Sequence, residues 1–308
     1  MKRRLSVLLA FIALGRPLFL GGGVVLYALG LAVALYEGAH IHWTVALVGQ
    51  VGVTAVQLAT HYFNDAWDLE TDALVKHPTF WTSGSRVLVQ GWFSRRVSLA
   101  AAWVLVTVAM ASAFVLRVFL HRGPYTLIVY SLCAFISWAY SAPPLRLIGR
   151  GLGEATTALV VAGGVPLVSY YLQTGYLSRG ILLVTLPLIA FLFAMTLAIE
   201  FPDEVADATT GKRTLLVRLG RDWAVRMHTA AIALAYLAAL GFVLAGFPLA
   251  MPALLAVSLP LAAWQVWAVI RHSARPAAWG GIAFRGIALF VIGAALQLAA
   301  IILTLQPI

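Results

Sequence analysis

Residues 42–72 read HWTVALVGQVGVTAVQLATHYFNDAWDLETD. From His42 to Phe63 there is no Asp, Glu, Lys or Arg, whereas the segment that follows carries Asp65, Asp68, Glu70 and Asp72. An apolar run of about 20 residues is what a helix needs to cross roughly 30 Å of hydrocarbon, where the helix satisfies its own backbone. The acids then mark the place where the chain leaves the membrane.

Working outward, similar apolar runs fall near 17–36, 97–119, 124–142, 152–173, 180–200, 222–245, 249–270 and 282–305, which with 42–63 makes nine expected spans. Pro143-Pro144 closes the fourth, since proline cannot continue a helix. The composition agrees: of 308 residues 62% are hydrophobic and only 10% charged, and the mean hydropathy is +0.94. A soluble surface of this size needs far more charge. The expectation is an all-α polytopic membrane protein forming one bundle, a single domain over 1–308. Cys133 is the lone cysteine and lies inside an apolar run, so neither a disulfide framework nor a cysteine metal site is available.

The formal charge of +10 does not point to nucleic acid, because the bases are spread between apolar runs and form no continuous patch. Sorted by connection, Lys2, Arg3, Arg4, Arg16, Lys76, Arg86, Arg95, Arg96, Arg146, Arg150, Lys212, Arg213, Arg218, Arg221, Arg226, Arg271, Arg275 and Arg285 fall on one side, and only Arg117, Arg122 and Arg179 on the other. Cytoplasmic loops collect Lys and Arg, so the N-terminus and the connections after spans two, four, six and eight are expected in the cytoplasm and the C-terminus outside, in a plasma (inner) membrane. Lys2-Arg3-Arg4 before Leu5–Leu14 resembles the start of a secretory signal, but no small-residue cleavage site follows and Arg16-Pro17 leads into the next run; a half-inserted or interfacial helix is expected. Trp43, Trp92, Trp223 and Trp279 sit near span ends as interfacial anchors.

The sequence echoes itself once. Span two ends in Asp65, Asp68 and Asp72, span six in Glu200, Asp203 and Asp207, both spaced acid, two residues, acid, three residues, acid. If the helices continue through these segments, positions i, i+3 and i+7 share a face and three carboxylates converge. Such a cluster at a membrane boundary requires a cation, and oxygen ligands suit Mg²⁺ or Mn²⁺. Acids that only solvate helix ends would have no reason to repeat one spacing, on one side, with eight of the chain's eleven acidic residues in the two stretches. Directly after the second cluster comes Gly211-Lys212-Arg213-Thr214, a turn with two cations. Acids for a divalent metal and bases for oxyanions together equip a site for a metal-bound diphosphate. A cation-coupled transporter would instead place polar residues near the midplane with access from both faces, and the Asp-Gly motif of phosphatidyl-type alcohol phosphotransferases is missing.

These residues resemble the UbiA superfamily of intramembrane prenyltransferases. Asn64, Asp65, Asp68 and Asp72 match its first signature without a gap. Glu200, Asp203 and Asp207 match the second, with Glu in place of the usual first Asp, and Tyr140–Arg146 with Gly151–Glu154 looks like its connection after span four. The resemblance covers essentially the whole chain. It implies transfer of a polyprenyl group from its diphosphate to an acceptor, usually an aromatic ring, on the cytoplasmic side, with two or more Mg²⁺ ions. Asn64, Asp68, Asp203 and Asp207 would hold metal, joined by Asp72 and Glu200. Asp65 and Asp72 would bind a second ion or orient the ligands of the first, so Asp65, Asp68, Asp72, Asp203 and Asp207 are the expected catalytic acids. Lys212, Arg213, Arg146 and Arg16 are expected to bind diphosphate, and Tyr140 diphosphate or acceptor; His61 lies one turn inside Asn64. Gly84–Gly91, which includes Arg86, and Gly211–Leu215 with Val217–Gly220 look most like the menaquinone-type branch, whose acceptor is 1,4-dihydroxy-2-naphthoate. Glu200-Phe201-Pro202 departs from that branch, leaving another ring or a non-aromatic lipid acceptor open.

Overall fold

The structure is a computed structural model that describes residues 2–305, apart from the side chains of residues 2–5. The charges of Lys2, Arg3 and Arg4 and the extreme C-terminus, both counted in the topology above, lie outside the described residues. Among these residues the secondary structure is helical throughout. A short N-terminal helix α1 (Lys2–Leu14) precedes α2 (Pro17–Tyr36) and α3 (Trp43–Trp67). Then come the short α4 (Leu69–Leu74), α5 (Arg95–Phe119), α6 (Thr126–Ser141), α7 (Gly153–Thr174) and α8 (Arg179–Ile199). Short helices α9 (Glu204–Thr209) and α10 (Leu215–Leu219) lead to α11 (Arg221–Leu244), the bent pair α12 (Ala250–Ala256) and α13 (Leu259–His272), and α14 (Pro276–Thr304).

Seven of these are long and apolar enough to span, and the α12/α13 pair, bent by 44°, makes up to eight. The run expected at 124–142 forms the 16-residue α6, about 24 Å long and short of the hydrocarbon thickness. The last run starts earlier than its apolar core suggested, at Pro276, whose fixed φ suits the first helical position.

The core packs α2, α3, α7 and α8 around Leu29, Leu172, Leu188 and Phe191, while Leu47, Trp103, Leu237 and Leu244 point outward. Where α2 crosses α7, a Cβ at Gly30 would stand 2.2 Å from the Pro166 carbonyl oxygen, so only glycine permits the approach. Ser169 Oγ donates to the Tyr27 carbonyl there, at 2.8 Å. Just before Pro166, residues Ala158–Gly164 wind as π-helix, which absorbs the missing proline donor and its steric demand. Gly163 packs on Ile189, and of Gly21-Gly22-Gly23 only Gly23 is tightly covered, by the Gln57 amide.

The connections gather at two ends of the bundle. At one, Glu37 of α2 accepts from Tyr170 and Ser178, and His42 N donates to Gln173. At the other, the segments after α1, α3, α6 and α8 meet, with the long connection between α4 and α5 folded back over them.

Candidate active site

Both acidic motifs break their helices. α3 stops at Trp67, and Asp68 (φ −96°, ψ 7°) turns the chain into α4. α8 stops at Ile199; Pro202 removes one donor, and Asp203 stands at the N-cap position of α9 without a side-chain capping bond. The continuous helical face expected for each triplet is therefore replaced by a bend, and the convergence is made by backbone turns. Asp68 N donates to Asn64 O at 2.8 Å and Asp72 N to Asp68 O at 2.7 Å; Asp203 N donates to Glu200 O at 2.9 Å and Asp207 N to Asp203 O at 2.8 Å. The sequence echo thus becomes a structural one.

The motifs face each other across buried cations. Lys212, 6% exposed, places Nζ 2.7 Å from Asp68 Oδ2 and 3.4 Å from Asp207 Oδ1, joining the two motifs. Its loop is fixed by Lys212 N on Asp207 O (2.8 Å) and Arg213 N on Gly149 O (3.2 Å). Asn64 Nδ2 donates to Asp68 Oδ2 (2.9 Å) and to Ser141 Oγ (3.2 Å). Arg16 pairs with Asp65 and reaches Asn64 Oδ1 at 3.4 Å, and Arg146 Nη2 stands 3.6 Å from Asp68 Oδ1.

Two further contributors belong to stretches noted in the sequence only for their resemblance and given no role there. The stretch Thr82-Ser83-Gly84-Ser85 ties the halves together: Ser83 Oγ donates to Asp203, and Ser85 donates to Asp65 through N and Oγ. Gly84 (φ +75°) lies so near Asp72 that a Cβ would stand 2.1 Å from Oδ2. Its run of small hydroxyl residues was the available signal. Glu154, 1% exposed, accepts from Leu215 N at 2.6 Å and so anchors the far end of the Lys212 loop. Arg16, Ser83, Arg86 and Arg146 all adopt positive φ (48°, 63°, 64° and 41°) around this site, conformations that cost energy in non-glycine residues and persist only where surroundings impose them.

Burial dominates the electrostatics. It pushes the carboxyls of Asp72 and Glu200 well above the carboxylate range, Asp72 helped by the neighbouring Asp68 and Asp65 and Glu200 by Glu154. Asp203 is raised too, against its Ser83 hydrogen bond, and Asp207 is pushed up to about 7 despite Lys212. Burial works against the Lys212 ammonium, but Asp68 and Asp207 outweigh it and hold it well above its usual value. Among the described residues no three acid, His or Cys side chains stand where one ion would join them; Lys212 and Arg16 stand between them. Yet Asp68 Oδ1, Asp207 Oδ1 and Glu200 Oε2 are buried and accept no hydrogen bond, the first two meeting only the longer ion-pair contacts of Arg146 and Lys212, a demand that an oxygen-liganded divalent cation would fill.

A cavity of 280 Å³ starts at this charged end and runs between α2, α3, α6, α7, α8 and α14. Asn64, Asp68, Asp72, Glu200, Asp203, Asp207, Lys212, Arg16, Tyr140 and His61 line its head, and Val53, Val161, Val168, Leu192 and Phe290 its apolar body. Of the expected anion-binding residues, Arg146 and Arg86 lie outside the lining, Arg86 donating to the Asp72 carbonyl. Arg213 is exposed and contributes its backbone to the loop.

An all-helical membrane protein whose apolar cavity ends in a buried cage of paired acids and bases is built to hold an amphiphile by its anionic head. The chain belongs to the UbiA prenyltransferase family, whose profile matches residues 23–288. It is 26% identical over 111 residues to 1,4-dihydroxy-2-naphthoate octaprenyltransferase of Bacillus subtilis (36% of each chain). With 2-acylphloroglucinol 4-prenyltransferase of Humulus lupulus it shares 25% over 203 residues, 63% of this chain and 46% of the relative. The chain thus matches less than half the length of either. Its fold resembles that of digeranylgeranylglyceryl phosphate synthase (TM-score 0.66, 16% identity, 96% of this chain and 99% of that one). It also resembles a UbiA homologue of Archaeoglobus fulgidus bound to GPP and Mg²⁺ (TM-score 0.61, 15% identity, 94% and 99%).

Proposed function

We propose that this protein transfers a prenyl group from a polyprenyl diphosphate to an aromatic, quinone-precursor acceptor, with 1,4-dihydroxy-2-naphthoate the first candidate, at the cytoplasmic face of the membrane. The observation that carries this reading is the Lys212 bridge between Asp68 and Asp207 at the head of an apolar cavity. A cavity charged at one end and apolar along its length fits a substrate with a diphosphate head and an isoprenoid tail. Family membership and the partial likeness to the Bacillus subtilis enzyme support the choice of reaction and acceptor.

Asn64, Asp68, Asp203 and Asp207 would hold Mg²⁺, joined by Glu200, and Asp65 and Asp72 would serve a second ion or orient the ligands of the first. When bound, Mg²⁺ would withdraw electrons from the diphosphate and ease departure of the leaving group. Lys212 and Arg16 line the cavity head and neutralise diphosphate oxygens as negative charge grows on them. Apolar walls at Val161, Val168, Leu192 and Phe290 hold the tail and keep water from the allylic cation left behind. Tyr140 and His61, which line the cavity head, would contact the acceptor ring as it attacks that carbon. The proton released from the ring passes to a carboxylate or a diphosphate oxygen.

The test is to incubate purified protein and Mg²⁺ with a panel of prenyl diphosphates and acceptors, dihydroxynaphthoate, other phenols and a lipid alcohol among them, following pyrophosphate release and product mass. Metal-dependent turnover with a ring acceptor is expected. Turnover only with the lipid alcohol would overturn the aromatic assignment, and none with any pair would overturn the enzyme reading.

A further inference from the structure

Away from the cage, α13 and α14 carry a second cluster of cations that no acid neutralises. Trp264, Trp267 and Arg271 are spaced i, i+3 and i+7 on α13 and all are exposed, 55% and 53% for the two rings, which makes one outward stripe. Beside it, Arg285 of α14 lays its guanidinium over the Trp264 ring, 4.8 Å from the centroid. The seat is shaped by Gly281, one turn earlier on the same helix: a Cβ there would stand 3.1 Å from Arg285 Nη1. The side chain therefore folds back along α14 toward the α13–α14 turn, and its Nε is buried without an acceptor.

Nothing in the described protein supplies the missing anion. Arg285, Arg271 and Arg275 make none of the ion pairs found among the described residues, and Glu204 is already held by Arg221, which also donates to the Ser273 carbonyl at 3.0 Å. Arg285 on the Trp264 ring, with Arg271 and Arg275 at the α13–α14 turn, thus gives one helix pair three unpaired cations beside two exposed tryptophans. A guanidinium held within the membrane boundary needs a counter-charge, and a planar fork stacked on a ring is pre-organised for phosphate. An arginine free to snorkel would accept the phosphate of any lipid. Here the uncompensated charge of Arg271 and Arg275 above the seat favours a headgroup with net negative charge.

We infer that the outer face of α13 and α14 is a binding site for one acidic phospholipid, its phosphate on Arg285 and Arg271 and its glycerol and upper chains against Trp264 and Trp267. The site is separate from the cavity, yet the same turn of α14 touches the connection that delivers Ser83: Phe284 packs on Trp81 (5.6 Å between rings) and Gly280 lies against Thr79.

The test uses the full chain in phosphatidylcholine vesicles containing a minor share of brominated phosphatidylglycerol or, in parallel, brominated phosphatidylcholine, reading quenching of tryptophan fluorescence. Trp264→Phe identifies the Trp264 share. Phosphatidylglycerol should quench that share beyond its mole fraction, and Arg285→Gln should cut the preference about fivefold, the worth of one interfacial cation. Arg271→Gln, at an exposed position, gives a second reading that cannot be lost to misfolding and should lower the preference similarly. Equal quenching by the two lipids, or a preference that survives both substitutions, would overturn the site. Loss of the preference on adding inorganic phosphate would reassign the seat to a soluble anion and overturn the lipid.

Discussion

Lys212→Met keeps the length of the side chain and removes its charge, and the structure fixes what that should do. The amine serves two carboxylates whose side chains are 3% and 2% exposed, on a lysine side chain that is itself 8% exposed, so little solvent screens the contacts. Removing one partner of a buried ion pair costs about 3 to 5 kcal/mol, because the remaining charge is stranded. Arg146, 3.6 Å from Asp68, offsets part of this, which argues for the lower end, about 3 kcal/mol. The same quantity should appear twice with opposite sign. Metal-free Lys212→Met should be less stable by about that amount. A divalent cation held by Asp68 and Asp207 would compete with the amine for them in the wild type, so it should bind the variant more tightly by up to about 100-fold. Electron paramagnetic resonance titration with Mn²⁺, without diphosphate, reads the affinity, and thermal unfolding in chelator reads the stability. Mn²⁺ binding equal to or weaker than wild type would refute the reasoning, since it would mean that Lys212 does not occupy the cation's place.

Other expectations follow from the same cage. Asp68→Ala and Asp203→Ala should each abolish Mg²⁺-dependent prenyl transfer while the protein still melts cooperatively; a near-normal rate in either would refute a shared site. Glu154→Ala frees Leu215 N and should raise KM for prenyl diphosphate about tenfold, whereas Glu154→Gln, which keeps an acceptor oxygen, should stay close to wild type. Gly84→Ala meets both a positive φ and the Asp72 carboxylate, so it should displace the connection after α4 and lower turnover without removing any ligand. Asp207 sits near 7 in the fold against about 3.9 unfolded. Between those values the folded protein holds a proton that the unfolded chain has lost, so metal-free stability should fall as pH rises toward 7. Because a ligating carboxylate must be ionised, apparent Mn²⁺ affinity should climb over the same range; a flat profile from about pH 6 to pH 8 would contradict the burial of this group.

Seven, or with the α12/α13 pair eight, of the nine expected spans were legible because hydrocarbon imposes a length and forbids charge, a constraint each segment shows by itself. The acidic spacing was legible for a related reason: eight acids confined to two short stretches stand out in a chain this apolar. What stayed hidden depends on contacts between distant segments. No local rule placed the break at Asp68 or at Glu200, since neither stretch carries a glycine and the proline at 202 only narrows one of them. Arg213 and Lys212 are neighbours of the same charge, yet one is exposed and the other buried between two motifs. Their difference arises from the turn that Glu154 and Gly149 pin. Ser83 and Ser85 carried no charge pattern to mark them.

The Lys212 bridge also has a history in time. Ribosomes deliver the chain from its N-terminus, so Asp65, Asp68 and Asp72 reach the membrane surface well before Lys212 does, 144 residues after Asp68. Arg16 is already present and can pair with Asp65, and Asn64 and then Arg146 can reach Asp68; the buried amine comes only with the second half. Closure of the cage therefore waits until α2, α3, α5, α6, α7 and α8 have all been made, so that it joins the two halves of the bundle last.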